Sequence, residues 1–75
     1  MNEKLDVVGF TDHHVLGRSF YAVHLRDNRV LAYSFITSLA TRSYRQMDGA
    51  LKDYRKYDFV DCNGTLLITK KEEAA

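Results

Sequence analysis

Ser19-Phe20-Tyr21-Ala22-Val23-His24-Leu25-Arg26-Asp27-Asn28-Arg29-Val30-Leu31-Ala32-Tyr33-Ser34-Phe35-Ile36 is the stretch on which the fold turns. Two structures fit it. In one, Asp27-Asn28 tips a hairpin that sets Leu25 against Val30, Val23 against Ala32 and Phe20 against Phe35, in residues that suit strands. In the other, residues 12–25 form a helix, because Val15, Leu16, Phe20 and Val23 fall within a sector of about 140° at about 100° per residue. Phe35, Ile36 and Leu39 then belong to a second, short helix. Local propensity favours the hairpin, and the residues downstream favour the helices.

Met47, Ala50, Leu51 and Tyr54 recur at the spacing of one helical face, and the polar residues of 43–57 occupy the remainder. Ser43-Tyr44-Arg45-Gln46 has the form of a capping box. The Ser43 hydroxyl accepts from the Gln46 amide, and the Gln46 side chain reaches back to the Ser43 amide. Gly49 costs this helix about 1 kcal/mol relative to alanine, which predicts a close neighbour on its side. A helix capped at Ser43 requires the preceding segment, Tyr33 to Ala40, to end in a turn at Thr41-Arg42. Short helix, tight turn and longer helix make a helix-turn-helix. The competing pattern is that Leu39, Ala40, Met47, Ala50, Leu51, Tyr54 and Tyr57 share one face of an unbroken helix from about 38 to 57.

Beyond the helix, Phe59-Val60-Asp61-Cys62 and Thr65-Leu66-Leu67-Ile68-Thr69 flank Asn63-Gly64. Both central residues of a type I′ turn need φ > 0, which glycine takes freely and asparagine tolerates. The expected fold is mainly α with a β-wing, a winged helix-turn-helix filling one domain over residues 1–75. The alternative is α+β: an antiparallel sheet, in chain order βββαββ, packed on one long helix.

Composition narrows the classes. A chain of 75 residues buries only about 60% of its unfolded-state surface, near the lower limit for a self-sufficient core. Hydrophobic content of 45% with 28% charged residues argues against disorder. The lone Cys62 excludes an internal disulfide and points to a reducing compartment. With no metal-ligand cluster, association with a partner, such as a homodimer, is the remaining staple. No apolar run approaches the roughly 20 residues of a membrane helix. The start, Met1 to Asp6, is too acidic for a signal peptide. The expectation is a cytoplasmic protein with no membrane partner. Net charge is +1, but Arg42, Arg45, Lys52, Arg55, Lys56, Lys70 and Lys71 outnumber the acidic residues of 38–71. That bias is compatible with nucleic acid.

From Leu31 to Thr69 the chain resembles the C-terminal winged helix of the catabolite-activator/FNR-type regulators. The matching pieces are Ile36 and Leu39, Ser43-Tyr44-Arg45, then Met47, Leu51 and Tyr54, Phe59-Val60, and Gly64-Thr65-Leu66-Leu67-Ile68. Thr41 and Arg42 stand where that family commonly has a turn glycine, and there is no room for its effector-binding β-roll or dimerisation helix. The resemblance implies a DNA-binding module alone, without a cyclic-nucleotide site, acting as a transcription regulator. It places Tyr44, Arg45 and Gln46 in the major groove, Arg45 reading guanine and Gln46 adenine. Arg42, Ser43, Lys52 and Lys56, with Asn63 and Thr65 at the wing tip, contact phosphates of double-stranded DNA. The plainer reading makes the same residues a solvated helix face.

Other chemistries find less support. Asp12-His13-His14, His24 and Cys62 form the candidate metal set, but adjacent histidines point in different directions and the paired spacings of zinc sites are missing. Cys62 precedes a turn on an apolar strand, where a packing role is expected, and neither a Gly-rich phosphate loop nor a Gly-x-Ser-x-Gly elbow occurs. No enzyme, metal or cofactor is expected. The second functional reading is a small phage-type inhibitor or accessory protein that acts by binding another protein. It rests on the hairpin form of residues 19–36, whose two faces both carry apolar side chains.

Overall fold

The computed structural model describes residues 2–40 and 43–71. Its strands are β1 (Asn2–Leu5), β2 (Val7–Val15), β3 (Arg18–Leu25), β4 (Val30–Ser34), β5 (Tyr57–Cys62) and β6 (Thr65–Lys70), with one helix, α1 (Tyr44–Lys52), between β4 and β5. They form two antiparallel three-stranded sheets, in the orders β1-β5-β6 and β2-β3-β4. Only Asp6 separates β1 from β2, so one stretch of chain serves both sheets.

The predicted winged helix-turn-helix, mainly α with a β-wing, is therefore overturned. Residues 12–25 are strand, turn and strand rather than a helix. Tyr33 to Ala40 holds the end of β4 and a turned segment. In that segment Ala40 donates to the Leu66 carbonyl, and the Leu66 amide donates to the Ser38 carbonyl. Leu39 is thereby laid parallel to β6, in place of the expected first helix of the motif. The expected turn at Thr41-Arg42 lies outside the described residues. The alternative fold differs too: four strands precede the helix, the strands divide into two sheets, and the helix is nine residues long.

A tight turn at Leu16-Gly17 is what defeats the helical pattern. Both residues have positive φ, +52° and +75°, as a two-residue hairpin loop requires. Leucine is a poor choice there because its Cβ crowds the backbone. The second hairpin does turn at Asp27-Asn28, one residue out of the expected register. Leu25 donates to the Arg29 carbonyl across a three-residue loop in which Asn28 takes φ +72°. Phe20 thus pairs with Ser34, Tyr21 with Tyr33 and Val23 with Leu31.

The helix begins as predicted, with the Ser43 hydroxyl accepting from the Gln46 amide at 3.4 Å. The Gln46 side-chain amide donates to the Ile68 carbonyl on β6. The helix stops at Asp53, whose carboxylate accepts from the Arg55 amide and so starts a separate 3₁₀ turn, Tyr54–Lys56. Residues 53–57 are therefore not part of a helix 43–57, and Tyr57 opens β5. The Asn63-Gly64 turn forms with φ +54° and +89°.

Phe59, Met47, Leu66, Ile68 and Val23 are the largest fully buried side chains. Phe10 of one sheet meets Phe59 of the other edge-on, centroids 5.1 Å apart at 60°. Met47 and Ala50 are the buried residues of α1. Tyr33 joins β4 to β5 by donating its hydroxyl to Asp61 at 3.1 Å, and the same carboxylate oxygen accepts from the Gly64 amide.

The close neighbour of Gly49 is Tyr57, whose hydroxyl a Cβ at position 49 would overlap. Gly49→Ala is expected to lose about 1–3 kcal/mol despite its better helix propensity, and Gly49→Ala combined with Tyr57→Phe to recover part of the loss in a denaturation double-mutant cycle. Burial, with the Asp61 charge and hydrogen bond behind it, raises the Tyr33 hydroxyl above the ordinary tyrosine range. A proton held more tightly in the folded state gives stability that is complete below about pH 10 and declines above it. Tyr33→Phe is expected to flatten that alkaline decline in urea titrations.

Candidate functional site

Of the residues predicted to face DNA, the structure brings Ser43, Arg45 and Gln46 together around one open cleft. Ser43 caps the helix and is exposed. Tyr44 is exposed and stacks on Phe35, centroids 5.2 Å apart. Gln46 is held against β6 by its bond to Ile68. Arg45 lies with Lys70, Tyr57 and Thr69 around that cleft, of about 560 Å³. Lys52 ends α1, Lys56 ends the 3₁₀ turn, and both are exposed. Asn63 belongs to the β5–β6 turn, and Thr65 opens β6 paired with Cys62. Arg42 lies outside the described residues. Several other cations are committed to neighbours: Lys4 to Asp58, Arg26 to Asp6, Arg55 to Asp53, and Arg29 to both Glu3 and Asp27. The Arg29 amide, and then its guanidinium, hold the Asp27 carboxyl below the usual carboxylate range.

A different surface is set apart by what it lacks. With Phe10, Val23, Leu25 and Tyr33 turned into the core, strand alternation turns the other set of the β2-β3-β4 sheet outward. These are Gly9, Thr11, His13 and Val15 on β2; Arg18, Phe20, Ala22 and His24 on β3; and Val30, Ala32 and Ser34 on β4. Apart from the covered Ala22, all are at least partly exposed. Arg18 is the only formal charge among them, in a chain that is 28% charged. A bulge between Val7 and Gly9 keeps the alternation in phase by adding Val8 as an extra residue. Thr11 ties two rings on this face, its hydroxyl lying 2.9 Å from His13 Nε2 and 3.1 Å from His24 Nε2. His13 also stacks on Phe20 at 5.1 Å. Among the described residues no three His, Cys, Asp or Glu side chains group to hold a metal.

The same face runs out along a projecting arm. β4 ends opposite Phe20, so beyond that point β2 and β3 continue as a two-stranded hairpin, and residues 11–19 are all exposed. At its tip Leu16 is 96% exposed and Val15 54%. At its base a cleft of about 580 Å³ is bounded by Arg18, Phe20, Phe35 and Ile36, and Ile36 is 70% exposed. No charge pattern or motif marks Val15 and Leu16 as binding residues in the sequence, and Ile36 stands out there only as an apolar piece of the winged-helix resemblance. The one local signal is Leu16-Gly17, a turn pair carrying a large apolar residue at a φ > 0 position.

No family model, no curated protein and no solved structure matches this chain.

Leu16 combines an unfavourable backbone conformation with a side chain left in water, so the fold gains nothing from it. Leu16→Asn is expected to stabilise the protein by about 1 kcal/mol. A rise in thermal midpoint checks this; a fall would mean that the leucine packs in solution.

Proposed function

We propose that this chain is a small binding protein that docks to another protein through the outer face of β2-β3-β4 and the arm tip at Val15-Leu16-Gly17. The observation that carries the reading is Leu16, fully exposed at φ +52° at the end of a face with one formal charge. Local strain retained where the fold does not need it points to use at a binding site. Large apolar side chains gathered at one end of a face with a single cation mark protein interfaces more often than nucleic-acid ones, which are rich in cations. In this role Leu16 enters an apolar recess of the partner, Phe20 and Ile36 supply flanking contact, and the sheet face excludes water around them. The chain acts by occupying a surface of its partner, as an inhibitor or accessory factor does, and no reaction is assigned to it.

A photo-crosslinking amino acid placed at position 16, and in a second variant at position 63, tests this in the cells that make the protein. Adducts with a second protein at position 16 and not at 63 are the expected result. Nucleic-acid adducts at 63, with none of protein at 16, would overturn the proposal and return attention to the basic segment.

A further inference from the structure

The outer strand β4 presents an edge of unusual composition. Val30-Leu31-Ala32-Tyr33-Ser34 is the only one of the six described strands without a charged residue. It contains no bulge and no proline, and these are the devices, with charge, that keep sheet edges from pairing.

Its hydrogen-bonding phase can be read from the hairpin. Leu25 donates to the Arg29 carbonyl, so the bonded pairs toward β3 are Val23 with Leu31 and Tyr21 with Tyr33. The amides and carbonyls of Val30, Ala32 and Ser34 then point away from the sheet. Of these, the Ser34 carbonyl accepts from the Ser38 amide at 2.9 Å. The others stand at the spacing of a strand with no strand beside them among the described residues. Donors and acceptors spaced in this way are complementary to extended backbone and to little else.

We propose that β4 pairs with itself: two copies of the chain join antiparallel through Val30–Ser34, about a two-fold axis at Ala32. In that register Ala32 exchanges both backbone bonds with Ala32 of the second copy. Val30 of each does the same with Ser34 of the other, whose carbonyl has a second lone pair free. A two-fold axis brings each residue near its own copy, so a charge at the centre of the strand would repel itself. The small, neutral Ala32 meets that condition. Leu31, half-buried in one copy, falls opposite Tyr33 of the other on the inner side. The exposed Ile36 comes beside the Asp27-Asn28 turn. The two faces, each with Arg18 as its one formal charge, become one continuous six-stranded face with an arm at each end.

Five paired residues span about 17 Å, which makes the contact smaller than the roughly 800 Å² per partner of a standard interface. Self-association in the micromolar range is the expected strength. This pairing requires neither the arm nor its partner.

Light scattering on the full chain between about 1 μM and 0.1 mM, with each variant's fold checked by circular dichroism, tests it. The wild type is expected to move toward twice its monomer mass of 8.7 kDa. Ala32→Lys and Ala32→Pro are expected to weaken self-association by roughly 10- to 100-fold. The proline spares the β3 ladder, because the Ala32 amide points away from it. Leu16→Asn is expected to leave the dimer intact. A wild type that stays monomeric throughout would overturn the proposal, as would a dimer lost in Leu16→Asn but kept in both folded Ala32 variants.

Discussion

Phe10 packed on Phe59 is the junction around which this fold is arranged. The two rings come from different sheets, and both are almost fully buried. Asp6, next to the buried Leu5 and four residues before Phe10, is the only residue between β1 and β2. The chain therefore passes from one sheet to the other within a few residues of that contact. A chain this short has one chance to build a core. With no disulfide to close it, the apolar faces of both sheets and the Met47–Ala50 face of the helix must meet at one place. Leu5, Leu66 and Ile68 on one side, and Val23 and Leu25 on the other, are drawn in around it.

That economy explains the division of labour across the surface. Ion pairs gather at the rim of the core, where Arg29 joins the β3–β4 turn to β1 through Glu3, and Arg26 and Lys4 hold Asp6 and Asp58. Exposed pairs of this kind contribute little to stability individually, but they account for many of the charges. The outer face of β2-β3-β4 is left without them. The arm beyond Phe20 adds no buried side chain to the core. A fold under pressure to stabilise itself would shorten that hairpin or put asparagine or glycine where Leu16 stands. Its retention accords with a binding surface carried on a two-stranded support.

The local signals in the sequence were of unequal reach. Asn63-Gly64, between alternating apolar residues, was sufficient for its hairpin because the turn chemistry and the strand pattern agree. Ser43 was sufficient for the start of the helix, and Gly49 for a close neighbour there. The same capping box was misleading as evidence for a helix before it, since a serine caps equally well after an extended segment. Gln46 turned to Ile68 because β6 offers a carbonyl, which the local pattern does not reveal. Helical periodicity carried the reading through Tyr54 and Tyr57, yet Asp53 took the Arg55 amide and ended the helix first. The Asp27-Asn28 turn was visible while its register was not: a three-residue loop and a four-residue loop differ by one position, and only packing of Tyr33 and Leu31 against the core chooses between them.

Read alone, the sequence sufficed for a small chain too apolar for disorder, without an internal disulfide, with one capped helix from Ser43 and a hairpin at Asn63-Gly64, while residues 19–36 fitted a hairpin and helices both. Long-range packing was needed to make residues 12–25 strands and to divide the strands into two sheets. It also put the surface poorest in charge on the outer side of β2-β3-β4. The reason is the range of the forces. Caps and turns are settled by hydrogen bonds and φ preferences within four or five residues, so they can be read locally. Val15, Leu16, Phe20 and Val23 satisfy a helical pattern, yet the fold puts Val15 and Phe20 on the outer face, Leu16 in a turn and Val23 in the core. The burial of Phe10 and Val23 in a core shared with Phe59, a residue far along the chain, favours the strands that the Leu16-Gly17 turn joins.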